Sequence, residues 1–137
     1  MVLKTFNIGD MKKSAPLNAV IVEDEVELCF LLSRVLAQKN LNPLCVYSIA
    51  EAKETIKKIH PSVLFLDNRL PDGLGIDLIS QVKHDFPYVK IVMMTAHNSS
   101  QEIQSALRSG ADHFISKPFN AGIIKDTIDL LNLDKTG

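Results

Sequence analysis

Three acidic residues, a threonine and a lysine each stand close behind a short apolar run of the sequence. They are Glu23 and Asp24 after residues 19–22, Asp67 after residues 63–66, Thr95 after residues 91–94, and Lys117 after residues 114–115. Carboxylates are hard oxygen ligands, and Mg²⁺ usually takes only one or two of them directly. A carboxylate can also accept a phosphoryl group covalently, while a metal ion and a lysine neutralise the transferring oxygens. The residue types therefore indicate a site for phosphoryl chemistry that holds a divalent cation.

The apolar runs predict how these side chains are brought together. Runs of this length, rich in Val and Ile and separated by helix-length segments, are typical of buried strands in a parallel sheet. We expect an α/β domain whose strands start near Asn18, Asn42, Ser62, Lys90 and Asp112. The carboxyl ends of such strands share one edge of the sheet, which is where ligands bind. The five side chains should therefore meet at that edge.

Capping signals predict the helix boundaries. The first helix should run from about Glu25 to Lys39, with Asn40 as a left-handed stop, and the last from Asn120 to about Leu131. Capping boxes at Ser48–Glu51 and Ser99–Glu102 should open two others, which end at His60 and Gly110. Pro43 predicts that the second strand lies at a sheet edge, and residues 71–73 predict a loop after the third strand.

Composition sets the broad class of the protein. A chain of 137 residues with 46% hydrophobic residues fits one domain, which we place at residues 18–132 between an extension at 1–17 and a tail at 133–137. The net charge of -1 argues against a broad nucleic-acid-binding surface. Cys29 and Cys45 lie in apolar patterns and are expected to be core residues. No membrane-length apolar stretch or signal peptide is visible, so we expect a cytoplasmic protein.

Each of these residues also has a simpler interpretation. Glu23, Asp24 and the following Glu25 are favourable at a helix N-terminus, where acids complement the dipole. Thr95 can satisfy a backbone group at a strand end, and Lys117 can be a solvated loop lysine. Asp67 can open a turn, but helix capping does not explain an aspartate at the end of a fully apolar strand.

Four segments resemble the receiver domain of two-component response regulators. They are residues 20–25 (VIVEDE), 66–73 (LDNRLPDG), 94–96 (MTA) and 116–119 (SKPF), and the resemblance covers about residues 18–132. It implies a flavodoxin-like five-stranded sheet in the order 2-1-3-4-5 with helices on both faces. It also implies that Asp67 accepts a phosphoryl group from a histidine kinase or phosphotransfer protein.

The same resemblance implies the roles of the other residues. Asp24, Asp67 and the backbone carbonyl of Arg69 ligate Mg²⁺, with Mn²⁺ as an alternative, and Glu23 reaches it through water. Thr95 and Phe114 form the switch, and the bond between Lys117 and Pro118 is usually cis. The fourth helix, fifth strand and fifth helix form the expected partner face, with a homodimer as one occupant. No enzymatic activity is implied beyond the domain's own phosphoryl transfer and dephosphorylation.

Other classes fit less well. A flavin-binding protein of this fold needs a Gly/Ser/Thr-rich loop where residues 23–27 are mostly acidic, and a haloacid-dehalogenase-type phosphatase needs Asp-x-Asp where Arg69 stands. The four histidines lack paired metal-ligand spacing. The remaining alternative is a phosphorylation-independent interaction module of the same fold. Under the first hypothesis, Arg69 and His97, each two residues beyond a site residue, should flank the path of hydrolytic water.

Overall fold

Strands and helices alternate along nearly the whole chain. The computed structural model describes residues 16–96 and 99–133. The strands are β1 (Leu17–Val22), β2 (Leu41–Val46), β3 (Val63–Asp67), β4 (Arg69–Leu70), β5 (Gly73–Leu74), β6 (Lys90–Thr95) and β7 (His113–Ser116). The helices are α1 (Val26–Gln38), α2 (Ile49–Ile59), α3 (Ile76–Asp85), α4 (Ser100–Ser109) and α5 (Ala121–Leu131).

Five strands form the main sheet in the order β2-β1-β3-β6-β7, and all neighbouring pairs are parallel. Counted among these five strands alone, this is the order 2-1-3-4-5 implied by the resemblance, so that prediction is confirmed. The edge position of β2 is also confirmed. Pro43 lies there, where its missing N–H costs least.

The core has two layers, one on each face of the sheet. Alternate strand residues such as Ile21 and Phe65 pack with α1 and α5, while Val20 and Leu64 pack with α2, α3 and α4. Because successive side chains of a strand point to opposite faces, both sets must be apolar. This explains the unbroken apolar runs seen in the sequence.

The predicted helix ends are confirmed in detail. Ser48 and Ser99 each accept a hydrogen bond from the backbone three residues later, at Glu51 and Glu102. The residue after the C-cap of α1, Asn40, has a positive φ, as does Gly110 at the end of α4. Cys29 is buried and Cys45 is half-buried beside the same core layer, as expected.

One predicted loop has a regular structure. Within residues 67–76, β4 and β5 form a short antiparallel ribbon in which Arg69 faces Leu74 and Leu70 faces Gly73. The predicted turn residues Pro71 and Asp72 form its tip. Two-residue strands carry no periodic signal, so the ribbon was not predictable from alternation.

The two ends of the predicted domain lie close to the ends of the described residues. β1 begins at Leu17, one residue before the predicted start of the domain. Residues 1–15 and 134–137, which hold most of the predicted extension and tail, lie outside the described residues. Within the described part of the chain, no helix is long and apolar enough to cross a bilayer.

Candidate functional site

The five predicted side chains belong to the same edge of the main sheet. Glu23 and Asp24 directly follow β1, Asp67 and Thr95 are the last residues of β3 and β6, and Lys117 directly follows β7. The register of the strands fixes how far along the sheet each residue lies. Asp67 pairs with Met94, and Thr95 pairs with Ser116. The topology therefore brings together groups that are far apart in sequence.

Three carboxylates form the acidic part of the site. Glu23, Asp24 and Asp67 each offer an oxygen atom within 4.8 Å of those of the others. Glu23 is fully buried and Asp67 nearly so, whereas Asp24 is exposed. Carboxylates this close repel one another unless a cation neutralises their charge. A donor set made only of oxygen atoms, with one side open to water, suits Mg²⁺.

Glu23 supplies further evidence that the residues fit a cation. Its Oε2 accepts a hydrogen bond from the backbone N–H of Glu25 at 3.1 Å. Its buried Oε1 has no hydrogen-bond partner among the described residues, although Lys117 Nζ lies 2.9 Å away. The Lys117 contact is an ion pair. Glu25 itself provides no side-chain cap to α1, so acidic capping alone does not explain the cluster.

Lys117 is the cation of the site. Its ammonium lies 2.9 Å from Glu23 Oε1, 3.3 Å from Asp67 Oδ1 and 3.5 Å from Glu25 Oε1. Only 17% of its side chain is exposed, so it is not a solvated surface lysine. The peptide bond to Pro118 is cis, in line with the resemblance. A half-buried ammonium in this place can neutralise negative oxygens brought to Asp67.

The electrostatics show two desolvated acids held by one lysine. Burial raises the pKa of Glu23 to about 7, against the lowering effect of Lys117 and the Glu25 backbone. Burial likewise raises the pKa of Asp67, opposed by the Lys117 charge and by a hydrogen bond from the Arg69 backbone. For Lys117, burial acts to lower the pKa, but contacts with Glu23 and Asp67 outweigh it and raise the pKa. A divalent cation beside these acids would favour their charged forms.

Thr95 and Phe114 border one cavity of about 300 Å³. Thr95 is 3% exposed and Phe114 is half-buried. The other walls come from the segment after β3, from β6 and from α4, including Asn68, Met93 and Ala106. The two predicted switch residues thus line the same cavity.

The backbone around Asp67 depends on residues that the sequence reasoning did not single out. Asn68 accepts hydrogen bonds from Ile76 N at its side chain and from Gly75 N at its carbonyl, which fixes the start of α3. A Cβ at Gly75 would overlap the carbonyl oxygen of Asp67, so this close approach requires glycine. The Gly-Leu-Gly spacing of residues 73–75 was the only sequence signal for it.

Arg69 and His97 were expected beside the path of hydrolytic water. Arg69 is exposed on β4, two residues beyond Asp67. His97 lies outside the described residues, so its expected position stays a prediction.

An α/β fold with this acid cluster and lysine at its carboxyl edge defines a class of phosphoryl-accepting signalling domain, and comparison with known proteins agrees. Residues 19–129 match the family model of the response regulator receiver domain. The chain belongs to this family.

Two relatives illustrate the similarity. The chain is 31% identical over 110 residues to the response regulator protein PilR of Pseudomonas aeruginosa, and 35% identical over 109 residues to the regulatory protein LuxO of Vibrio cholerae. Each alignment covers 80% of this chain but only 25% and 24% of the relative. The chain thus spans about a quarter of the length of these relatives.

Solved structures show the same fold. The signal receiver domain of a putative LuxO repressor from Vibrio parahaemolyticus superposes with a TM-score of 0.81 at 27% identity, covering 88% of this chain and 94% of that one. A two-component response regulator from Clostridium difficile gives a TM-score of 0.80 at 28% identity, with coverages of 84% and 94%. Receiver domains generally bind Mg²⁺ in an acidic pocket, and Glu23, Asp24 and Asp67 form a cluster that could hold a metal ion.

Proposed function

We propose that Asp67 is the phosphoacceptor of this receiver domain and that Mg²⁺ is required for the transfer. The observation that carries the proposal is the position of the Asp67 carboxylate, which lies within 4.8 Å of two other acids and 3.3 Å from the Lys117 ammonium. Among the acids of the cluster, Asp67 alone ends the central strand β3. The donor is a phosphohistidine of a kinase or phosphotransfer protein, since receiver domains partner with such proteins.

The transfer exchanges one bond to phosphorus for another. An Asp67 carboxylate oxygen attacks the phosphorus, the bond from phosphorus to the histidine nitrogen breaks, and the imidazole keeps the electron pair. Lys117 donates hydrogen bonds to a phosphoryl oxygen and so offsets the charge brought beside the acids. In a separate hydrolysis step, water attacks the phosphorus, the bond from phosphorus to the Asp67 oxygen breaks, and inorganic phosphate leaves as the carboxylate is regenerated. These two reactions are the only chemistry that we assign to the domain.

The residues that would hold Mg²⁺ are Asp24, Asp67 and the carbonyl of Arg69, with Glu23 acting through water. When bound, the ion would neutralise the carboxylates and the phosphoryl oxygens. Asp24 suits a direct ligand because it is exposed, whereas Glu23 is already engaged by Glu25 N and Lys117. Mn²⁺ has the same preference for oxygen ligands and is the alternative ion.

The phosphorylated state is read out at the face formed by α4, β7 and α5. A phosphoryl oxygen draws the Thr95 hydroxyl inward, and Phe114 turns into the space that they share. Such a change is a shift between two pre-existing states, and its size is limited by their differential contacts. A partner protein or a second copy of the chain binds this face, and we place the domain in the cytoplasm.

One mass measurement tests the central step. Wild-type protein incubated with phosphoramidate and Mg²⁺ should gain the mass of one phosphoryl group, and Asp67→Asn should gain none. Asp77→Asn, which changes an exposed acid on α3, is the matched control and should behave as wild type. Equal labelling of Asp67→Asn and wild type would remove Asp67 as acceptor. No labelling of wild type would favour the phosphorylation-independent interaction module.

A further inference from the structure

Asp72 lies at the tip of the β4–β5 ribbon. Its carboxylate makes a bidentate contact with the start of α2, more than twenty residues earlier in the sequence. Its Oδ1 accepts a hydrogen bond from Ile49 N at 2.9 Å, and its Oδ2 accepts one from Ala50 N at 3.0 Å. These are the first two N–H groups of α2, which have no partner inside the helix. The next N–H, that of Glu51, is taken by Ser48. Asp72 and Ser48 therefore accept hydrogen bonds from the first three backbone N–H groups of α2.

The ribbon fits closely against the same helix start. A Cβ on Gly73 would lie 3.1 Å from Cδ1 of Ile49, so the Ile49 side chain packs directly on the backbone of the ribbon. Leu70, from the other strand of the ribbon, is buried in the core layer beneath α2 with Ala52 and Ile56. The two hydrogen bonds of Asp72 thus stabilise the contact between the ribbon and α2, which apolar packing also favours. The same bonds lower the pKa of Asp72, with Ile49 N as the largest cause, so the carboxylate stays charged at neutral pH.

The ribbon in turn holds the candidate phosphoacceptor. Arg69 lies two residues beyond Asp67 and pairs across the ribbon with Leu74, and its backbone acts to lower the pKa of the Asp67 carboxyl. At the far end, the carbonyl of Asn68 accepts a hydrogen bond from Gly75 N at 2.7 Å. The two ends of the segment from Asp67 to Gly75 are consequently held together by backbone hydrogen bonds. Asp72 attaches this segment to α2 by hydrogen bonds.

We propose that Asp72 is a positioning residue for the cation site: by fastening the ribbon to the N-terminus of α2, it fixes Arg69 beside Asp67. This inference rests on the proposed function, because the carbonyl of Arg69 is one of the proposed Mg²⁺ ligands. Asp72 lies outside the cluster of Glu23, Asp24 and Asp67 and acts only through Arg69. Its loss should loosen the ribbon and weaken Mg²⁺ binding, while saturating Mg²⁺ restores the transfer.

Ser48 offers a control that separates positioning from helix capping. Ser48→Ala removes a hydrogen bond from the same helix turn but leaves the attachment of the ribbon intact. Asp72→Ala removes both hydrogen bonds to the ribbon tip, and Asp72→Asn keeps one oxygen acceptor. All three changes are on the surface of the domain, so folded protein is expected in each case, as checked by thermal unfolding.

The experiment measures two properties of wild type and the three variants. In metal-free protein, amide hydrogen exchange should accelerate at residues 69–74 in Asp72→Ala but not in Ser48→Ala. In titrations of phosphoramidate labelling, the Mg²⁺ concentration for half-maximal rate should rise roughly tenfold in Asp72→Ala, the size usual for residues that orient metal ligands. The labelling rate of Asp72→Ala at saturating Mg²⁺ should stay close to that of wild type. The half-maximal Mg²⁺ concentration of Asp72→Asn should lie between those of wild type and Asp72→Ala.

The outcomes separate this inference from the proposed function. If Asp72→Ala and Ser48→Ala change ribbon exchange and Mg²⁺ affinity equally, Asp72 is a helix cap and the inference is wrong. If wild type binds Mg²⁺ calorimetrically but takes no phosphate, the proposed function fails, and the calorimetric Mg²⁺ affinity of Asp72→Ala still decides the inference. If wild type binds no Mg²⁺, both are wrong.

Discussion

The ammonium of Lys117 lies 3.3 Å from Oδ1 of Asp67, although β6 separates their strands in the sheet. The long side chain of Lys117 reaches back across the end of β6 to do this. It also meets Glu23, beyond Asp67 on the other side, at 2.9 Å. One cation therefore spans the carboxyl ends of four adjacent strands and holds two desolvated acids.

The first prediction concerns this lysine. Lys117→Ala removes the group that offsets the phosphoryl charge, so the rate of phosphoryl transfer to Asp67 should fall by roughly a hundredfold, as for loss of a charge-stabilising donor. The rate is measured by the time course of phosphoramidate labelling at saturating Mg²⁺. Lys58→Ala, on the exposed surface of α2, is the control and should label at the wild-type rate. An unchanged rate in Lys117→Ala would exclude Lys117 from the transfer.

A second prediction ranks the two acids that follow β1. Asp24→Asn should weaken Mg²⁺ binding more than Glu23→Gln, because the first loses a direct ligand and the second only a contact through water. The affinities are compared by isothermal titration calorimetry. Glu23 is held by Glu25 N and Lys117, whereas Asp24 is exposed, which supports this ranking. The opposite ranking would mean that the two roles are exchanged.

The third prediction is a pH dependence of the metal-free protein. Since burial raises the pKa of Glu23 from 4.5 to about 7, the folded protein binds more protons than the unfolded chain between these values. Stability should therefore increase as pH falls from about 7 towards 4.5. Asp67, whose pKa is also raised by burial, acts in the same direction. Lys117, whose pKa is raised by its contacts with Glu23 and Asp67, stays charged over this range.

Urea unfolding in the presence of EDTA between pH 4.5 and 8 measures this effect. Glu23→Gln should flatten the slope and raise stability at pH 8, because it removes the cost of a buried carboxylate. Asp72 contributes with the opposite sign, since its pKa is lowered, but only near and below its ordinary value of 3.8. Stability that falls as the wild type is acidified from pH 7 to 5 would contradict the prediction.

Much of the fold and the site followed from the sequence for one physical reason. Apolar runs buried on both faces of a sheet must end where the strands leave the core, so a polar residue at that point, such as Asp67 or Thr95, is placed by the run before it. Sheet topology then brought these ends together. Local capping signals were equally informative, because Ser48 and Ser99 act on residues only three positions away.

Contacts that depend on the folded path of the backbone were not predictable in this way. The bonds from Asp72 to Ile49 and Ala50 join a ribbon tip to another helix, and nothing in the spacing of these residues indicates the contact. The hydrogen bond from Glu25 N to Glu23 Oε2 depends on the local path of the backbone. The run of acidic residues at 23–25 does not reveal that path. The need for glycine at residue 75 arises from the carbonyl of Asp67, which reaches it only in the folded chain.

The fourth prediction separates phosphorylation from its readout. Thr95→Ala should accept phosphate as wild type does but lose phosphorylation-dependent dimerisation or partner binding, because no hydroxyl is drawn towards the phosphoryl group. Mass spectrometry measures the labelling, and analytical ultracentrifugation with and without phosphodonor measures self-association. Thr55→Ala on α2, remote from the cavity shared by Thr95 and Phe114, is the control. A wild-type response in Thr95→Ala would show that the switch uses another route.

The last prediction is kinetic and concerns Arg69 and His97. In-line attack on the phosphoryl group requires close approach and alignment of water, so a bulky side chain beside Asp67 should slow hydrolysis. Arg69 is exposed two residues beyond Asp67, and its charge can also attract and shield the phosphoryl oxygens. The double change Arg69→Ala with His97→Ala should therefore shorten the lifetime of the phosphorylated protein severalfold, as followed by intact mass after removal of the phosphodonor. Arg108→Ala, an exposed arginine on α4, serves as the control for loss of positive charge. A longer lifetime would instead assign one of the two a part in hydrolysis, most simply His97 as a base that orients the water.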